Sequence, residues 1–123
     1  MSLKITYKGG GSCGEWNPKR SNWSDFNFLK MVWHNPSNEI IKLNFAARDD
    51  SKQKDYSTRF DQGIILRPGK NVITIPIQGI TNNSGEPFNL KKITHWFIWC
   101  PTAKADKPVT VYLCDIYLTT EEE

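Results

Sequence analysis

Short apolar runs with a period of two, broken every ten or so residues by Pro, Gly and Asn turns, make up nearly the whole chain. The clearest is 39–48, Glu-Ile-Ile-Lys-Leu-Asn-Phe-Ala-Ala-Arg. Ile41, Leu43, Phe45 and Ala47 fall on one side; Lys42, Asn44, Ala46 and Arg48 fall on the other. Alternation of this kind requires a strand with one buried and one wetted face. No stretch carries the 3.6-residue period of a long helix, so the pattern predicts an all-β domain.

Other runs extend this reading. Residues 3–7 alternate and end at Gly9, Gly10 and Gly11. Residues 12–25 read as irregular. In 26–34, Leu29, Met31 and Trp33 share one side, opposite Lys30, Val32 and His34. The turn Asn35-Pro36-Ser37-Asn38 then predicts an antiparallel hairpin between 26–34 and 39–48. A polar loop covers 49–55. Strands follow at 58–66 and, after Arg67-Pro68-Gly69-Lys70, at 71–76. A helical turn is expected near 90–93. Residues 93–100 are apolar on both sides, as in a central strand, and Pro108 opens the last strand, 108–118. Strands at this spacing with Gly/Pro turns predict a two-sheet sandwich.

Length and charge narrow the classes. The 123 residues fit one domain, and a domain of this size buries about two-thirds of its unfolded surface, enough for a core without staples. Sixteen basic residues against thirteen acidic ones leave +3, scattered along the chain, which argues against nucleic acid. No apolar run nears the ~18 residues of a membrane span, and no signal peptide is read at the start. The acidic tail Glu121–Glu123 reads as a solvated end. Cys13, Cys100 and Cys114 lack metal-ligand spacing. Cys100 and Cys114 read as small buried hydrophobes in strands, with a disulfide between them as the alternative. The sequons at Asn22 and Asn82 matter only in a eukaryotic secretory protein.

These residues in order resemble a family. Trp23-Ser24-Asp25-Phe26, Asn35-Pro36-Ser37, Arg48-Asp49, Tyr56 with Arg59-Phe60, Leu66 with Pro68-Gly69-Lys70-Asn71, Ile75-Pro76-Ile77, and Tyr112-Leu113 before Asp115-Ile116 resemble the galactose-binding-like, jelly-roll carbohydrate-binding modules. Such modules are appended to glycoside hydrolases and to uncharacterised bacterial proteins. The resemblance spans most of 3–118. It implies a jelly-roll β-sandwich, a carbohydrate partner, further domains in a larger protein, and an extracellular, periplasmic or cell-surface setting. Two departures stand out. The family usually has one more strand upstream of 2–7. Many members also hold a structural calcium on carboxylates of the first and last strands, where this chain has Cys114-Asp115. Asp115 alone is a weak candidate, since calcium takes six to eight oxygens, and no cofactor is expected.

The pleat sorts the candidate residues. With Trp96, Ile98 and Cys100 inward, His95, Phe97 and Trp99 point outward. They are expected to share one exposed face with His34, Asn44, Arg48 and Tyr112. A sugar site needs that mixture: rings stack on the C–H faces of pyranoses, and planar polar groups bond hydroxyls. The candidate ligand-binding set is therefore His34, Asn44, Arg48, His95, Trp99 and Tyr112. Trp16, Trp23 and Trp33 read as core or loop-packing residues, and Tyr56 with Arg59 as pins of the following loop. No GxSxG, HExxH or phosphate loop is present, and nothing orients Cys13 as a nucleophile. A binding module is thus the leading expectation. The alternatives are a protein-interaction sandwich without a sugar site, and a small glycoside hydrolase, which needs two close carboxylates.

Overall fold

Most strands of this chain have one apolar side, and the structure buries those sides between two sheets. The computed structural model describes residues 2–52 and 55–121. Met1, part of the polar loop (53–54) and the last two residues of the acidic tail lie outside the described residues. The strands are β1 (Leu3–Tyr7), β2 (Ser12–Trp16), β3 (Phe28–Asn35), β4 (Ile41–Arg48), β5 (Phe60–Leu66), β6 (Gly69–Pro76), β7 (His95–Trp99) and β8 (Val109–Thr119). Sheet A has the order β1-β8-β3-β6, and sheet B the order β2-β7-β4-β5. Every pairing is antiparallel. The fold is an all-β, two-sheet jelly-roll sandwich.

The inner faces interdigitate. Leu29, Met31 and Trp33 come from sheet A, and Leu43, Phe45, Trp96 and Ile98 from sheet B. Trp33 and Phe45 are essentially sealed from solvent. Burying aromatics of this size contributes about 2–3 kcal/mol each. Cys100 is buried, Cys13 and Cys114 are half-buried, and all three are free thiols.

The predicted hairpin between 26–34 and 39–48 does not form. β3 pairs with β6 and β8 in sheet A, whereas β4 pairs with β5 and β7 in sheet B. The intervening turn instead carries the chain across the sandwich. Asn35, 1% exposed, organises it. Its Nδ2 donates to the Glu39 carbonyl at 2.8 Å and the Leu66 carbonyl at 3.2 Å. Its Oδ1 accepts from the Ser37 amide and hydroxyl at 3.0 and 2.8 Å. Asn71 brackets the β5–β6 crossing in the same way, through the Arg67 amide and the Arg67 and Gly69 carbonyls. Gly69 there takes φ +93, a left-handed value that favours glycine.

Three further departures have local causes. β2 forms inside the stretch that reads as irregular; it gains its structure by pairing with β7. The segment near 90–93 makes turns rather than a helix. Opposite Val32 and Trp33, the register of β8 slips from Asp115 to Leu113, leaving Cys114 as the extra residue of a bulge. Inward positions therefore change parity, from Val111 and Leu113 to Ile116 and Leu118.

Asn35→Ala removes four hydrogen bonds at a buried crossing. We expect it to lower unfolding free energy by about 1–3 kcal/mol, while Asn38→Ala, exposed in the same turn, stays within about 0.5 kcal/mol. Chemical denaturation of both variants checks this.

Candidate functional site

The outer face of sheet B gathers the aromatic and polar residues. Register places Ser12, Gly14 and Trp16 of β2 beside Trp99, Phe97 and His95 of β7. Asn44, Ala46 and Arg48 of β4 follow on the other side of β7. Asp61, Gly63 and Ile65 of β5 complete the face.

A column of rings runs along β7. Trp16 stacks on His95 with centroids 3.6 Å apart and planes 12° apart. His95 lies 4.5 Å from Phe97, and Phe97 lies 5.3 Å from Trp99, both near-parallel. Asn17 ends β2 just after Trp16 with φ +48, and its amide donates to the Thr94 carbonyl at 2.7 Å. This fixes Trp16 over the end of the column. A Cβ on Gly14 would sit 1.9 Å from the Trp96 carbonyl oxygen, so no larger residue fits between Trp16 and Ser12 without moving β2.

The other half of the face is an ion-pair network. Arg59 donates to Asp61 through Nε at 2.6 Å and Nη2 at 2.8 Å. Asp61 also accepts from Asn44 Nδ2 and Asn83 Nδ2, each at 3.0 Å. The Arg59 guanidinium carbon lies 5.0 Å from the Tyr56 ring centroid, 5.6 Å from that of Phe97 and 5.2 Å from that of Trp99, inside cation–π range. Tyr56 rides on a short 3-10 turn, Tyr56–Thr58, capped by the Asp55 side chain. Arg48 donates Nη1 to the Asp55 carbonyl at 3.3 Å and also approaches Phe97.

The predicted site residues divide between the two sheets. Asn44, Arg48, His95 and Trp99 come together here. His34 and Tyr112 do not join them. They face each other on the outer side of sheet A, with centroids 5.9 Å apart, because β3 and β4 lie in different sheets. Asp115 is exposed on that same strand, β8. Among the described residues, no three His, Cys, Asp or Glu side chains are grouped to hold a metal ion. His95 is 9% exposed beneath Trp16, and its Nδ1 has no hydrogen-bond partner. Burial first, and the Arg48 charge second, push its pKa down.

Two residues missed as ligand candidates are the most open rings on this face. Trp16 is 73% exposed and Tyr56 61%, whereas Arg59 packs against Phe97 and Trp99. Trp23 and Trp33 are buried as expected, but Trp16 is a surface platform. Its alternation with Gly14 and Ser12 was the available signal. Cys13 points inward opposite Ile98, and burial raises its thiol pKa, the reverse of what a nucleophile needs.

No protein-family model matches this chain, and no curated protein matches it. Among solved structures, a family 11 carbohydrate-binding module from Clostridium thermocellum, in complex with a β-1,3-1,4-mixed-linked tetrasaccharide, matches with a TM-score of 0.57. The match covers 99% of this chain and 90% of that one, at 12% identity. The chain therefore has the jelly-roll fold of such modules. No helix among the described residues is long and apolar enough to cross a membrane.

The depressed His95 pKa has a sign that can be tested. The unfolded chain binds this proton at a higher pH than the folded chain. Its contribution to stability is thus complete above the ordinary value of 6.5, falls as pH drops below that, and levels off past the folded value. Unfolding free energies of wild type and His95→Phe, compared from about pH 7.5 to about 5.5, should converge or cross in the direction of lost wild-type advantage.

Proposed function

We propose that this chain is a non-catalytic carbohydrate-binding module whose ligand lies across the outer face of sheet B. The observation that carries the reading is the ring column flanked by planar polar groups on one open face. Trp16 and Tyr56 supply solvent-open rings, Arg48 supplies donors, Asn44 offers its Oδ1 as an acceptor because its Nδ2 is committed, and the pairing of β2, β7, β4 and β5 holds the face in place. The face between Trp16 and Trp99 spans the five residues of β7, roughly 13 Å over four strand rises, long enough for a short oligosaccharide rather than a single sugar. The shared fold with a module that was solved in complex with a tetrasaccharide adds support.

A hydrolytic reading has less to work with. Glycosidases place two carboxylates about 5–9 Å apart across the scissile bond. Among the described residues, the strand positions that point outward on sheet B carry one carboxylate, Asp61, and Arg59 holds it. The proposed setting is outside the cytoplasm, as part of a larger polysaccharide-directed protein.

Affinity electrophoresis and pull-down against a panel of soluble and insoluble polysaccharides test the proposal. Binding should fall about tenfold, or ~1.4 kcal/mol, in Trp16→Ala and in Tyr56→Ala. Trp99→Ala should also weaken it, by releasing Arg59. Tyr112→Ala, on the opposite sheet, should leave it unchanged. A folded protein that binds none of the panel sinks the sugar reading in favour of a protein-association domain.

A further inference from the structure

We infer that the outer face of sheet B selects an anionic glycan, a chain bearing carboxylate or sulfate groups, over a neutral one. This rests on the reading of that face as a sugar site. Neutral sugar hydroxyls donate as well as accept, so a site for them needs free acceptors, of which carboxylates are the strongest. Asp61 is the one carboxylate among the outward strand positions described for this face, and its capacity is spent. Oδ1 accepts from Arg59 Nε at 2.6 Å and Asn83 Nδ2 at 3.0 Å. Oδ2 accepts from Arg59 Nη2 at 2.8 Å and Asn44 Nδ2 at 3.0 Å. Four donors fill roughly the four lone-pair sites of a carboxylate.

Asn44 gives its Nδ2 hydrogens to Asp61 and the Phe45 carbonyl and keeps Oδ1 as a neutral acceptor, and Ser12 adds a hydroxyl; the charged groups left on the face are cations. Lys42 is exposed, pointing outward from β4 opposite Ile65. Arg48 is half-exposed at the other end of the same strand. Its hydrogen bond among the described residues goes to a backbone carbonyl, that of Asp55, so most of its guanidinium donors stay available. Arg59 adds a third cation; against these stand Asp61, filled by its four donors, and Asp55 on the adjoining turn, whose carboxylate accepts from the Ser57 amide and hydroxyl. His95 cannot offset this with an outward acceptor, because it is buried under Trp16. A guanidinium matches a carboxylate or sulfate through two parallel N–H···O bonds, the strong form of such contacts. Arg48 lies across from His95, on which Trp16 stacks, and its guanidinium reaches toward Phe97 and the Asp55 carbonyl. A sugar ring stacked on Trp16 can therefore present its acidic group to Arg48.

The test compares polygalacturonate and alginate (carboxylate), chondroitin sulfate (carboxylate and sulfate), dextran sulfate (sulfate only) and mixed-linkage β-glucan (neutral). Each is titrated against the full chain by affinity electrophoresis and tryptophan fluorescence. We expect at least one anionic polymer to bind about tenfold or more tighter than the neutral glucan, with binding weakened by about 0.3 M salt. Arg48→Gln should lose about tenfold, and Arg48→Lys should recover part of it. Lys70→Gln, exposed on sheet A opposite His34, should bind like wild type. Thermal unfolding of each variant confirms that it folds. The relative affinities of polygalacturonate and dextran sulfate identify the anionic group. Neutral glucan bound as tightly as every anionic polymer, with Trp16→Ala still weakening it, overturns this inference and leaves the sugar site standing. Equal losses in Arg48→Gln and Lys70→Gln also overturn it, since they would reveal attraction by net charge alone. Binding to no polymer removes the sugar site itself.

Discussion

Everything in this chain depends on burying one side of every strand between two sheets. Met31, Trp33, Phe45, Ile64, Leu66 and Ile98 are almost or wholly sealed from water, and they come from both sheets. To reach that packing, consecutive strands mostly change sheets. Only the β4–β5 connection stays within one sheet. Each crossing must satisfy backbone groups that no ladder can pair. Asn35 and Asn71 do this at two of them, each bonding to amides and carbonyls of its own turn. The exception, β4–β5, is a loop whose described residues are pinned by Asn83, Ser84 and Asn89, through Tyr56, Ser57 and Asp49. That loop brings Tyr56 and Arg59 to the face.

The period-two alternation made the inward residues legible. Leu29, Met31 and Trp33, then Ile41, Leu43, Phe45 and Ala47, then Trp96 and Ile98 are core where the alternation puts them. Alternation identifies the side of a strand, however, not its neighbours. The short turn at Asn35 is compatible with a crossing, although its length favours a hairpin. What decides is Asn35 reaching the Leu66 carbonyl, a contact from a distant strand that no local signal announces. Placing β3 and β4 in one sheet carried His34 and Tyr112 onto the wrong face. The bulge at Cys114 is different, since Val111 and Leu113 followed by Ile116 and Leu118 already change parity in the sequence.

β2 shows the limit of local propensity. Ser12-Cys13-Gly14-Glu15-Trp16 contains a glycine and little apolar content, and the Gly9–Gly11 run precedes it. Pairing with β7 supplies the order, as tertiary context commonly does for weak strands. The consequence for the outer face of sheet B is large. With β2 unseen, Trp16 reads as packing; with β2 paired to β7, Trp16 stands directly over His95. The rest of the ring column was legible, because His95, Phe97 and Trp99 alternate with Trp96 and Ile98.

The face is organised before any ligand arrives. Arg59 cannot move onto a ligand without leaving Asp61, and with it the network through Asn44 and Asn83. It acts as a fixed cationic ridge that packs over Phe97 and Trp99, so those rings set its position more than they offer open surface. The open rings lie at the two ends, Trp16 on the β2 side and Tyr56 on the β5 side, with Arg48 between them, in register with His95 and bonded to the Asp55 carbonyl. His95 links these parts. Held neutral by burial and by Arg48, it lets an indole stack at 3.6 Å without a second buried charge beside the guanidinium. A positive imidazole there would meet Arg48 across the strand pair, and their repulsion would loosen the stack that supports Trp16.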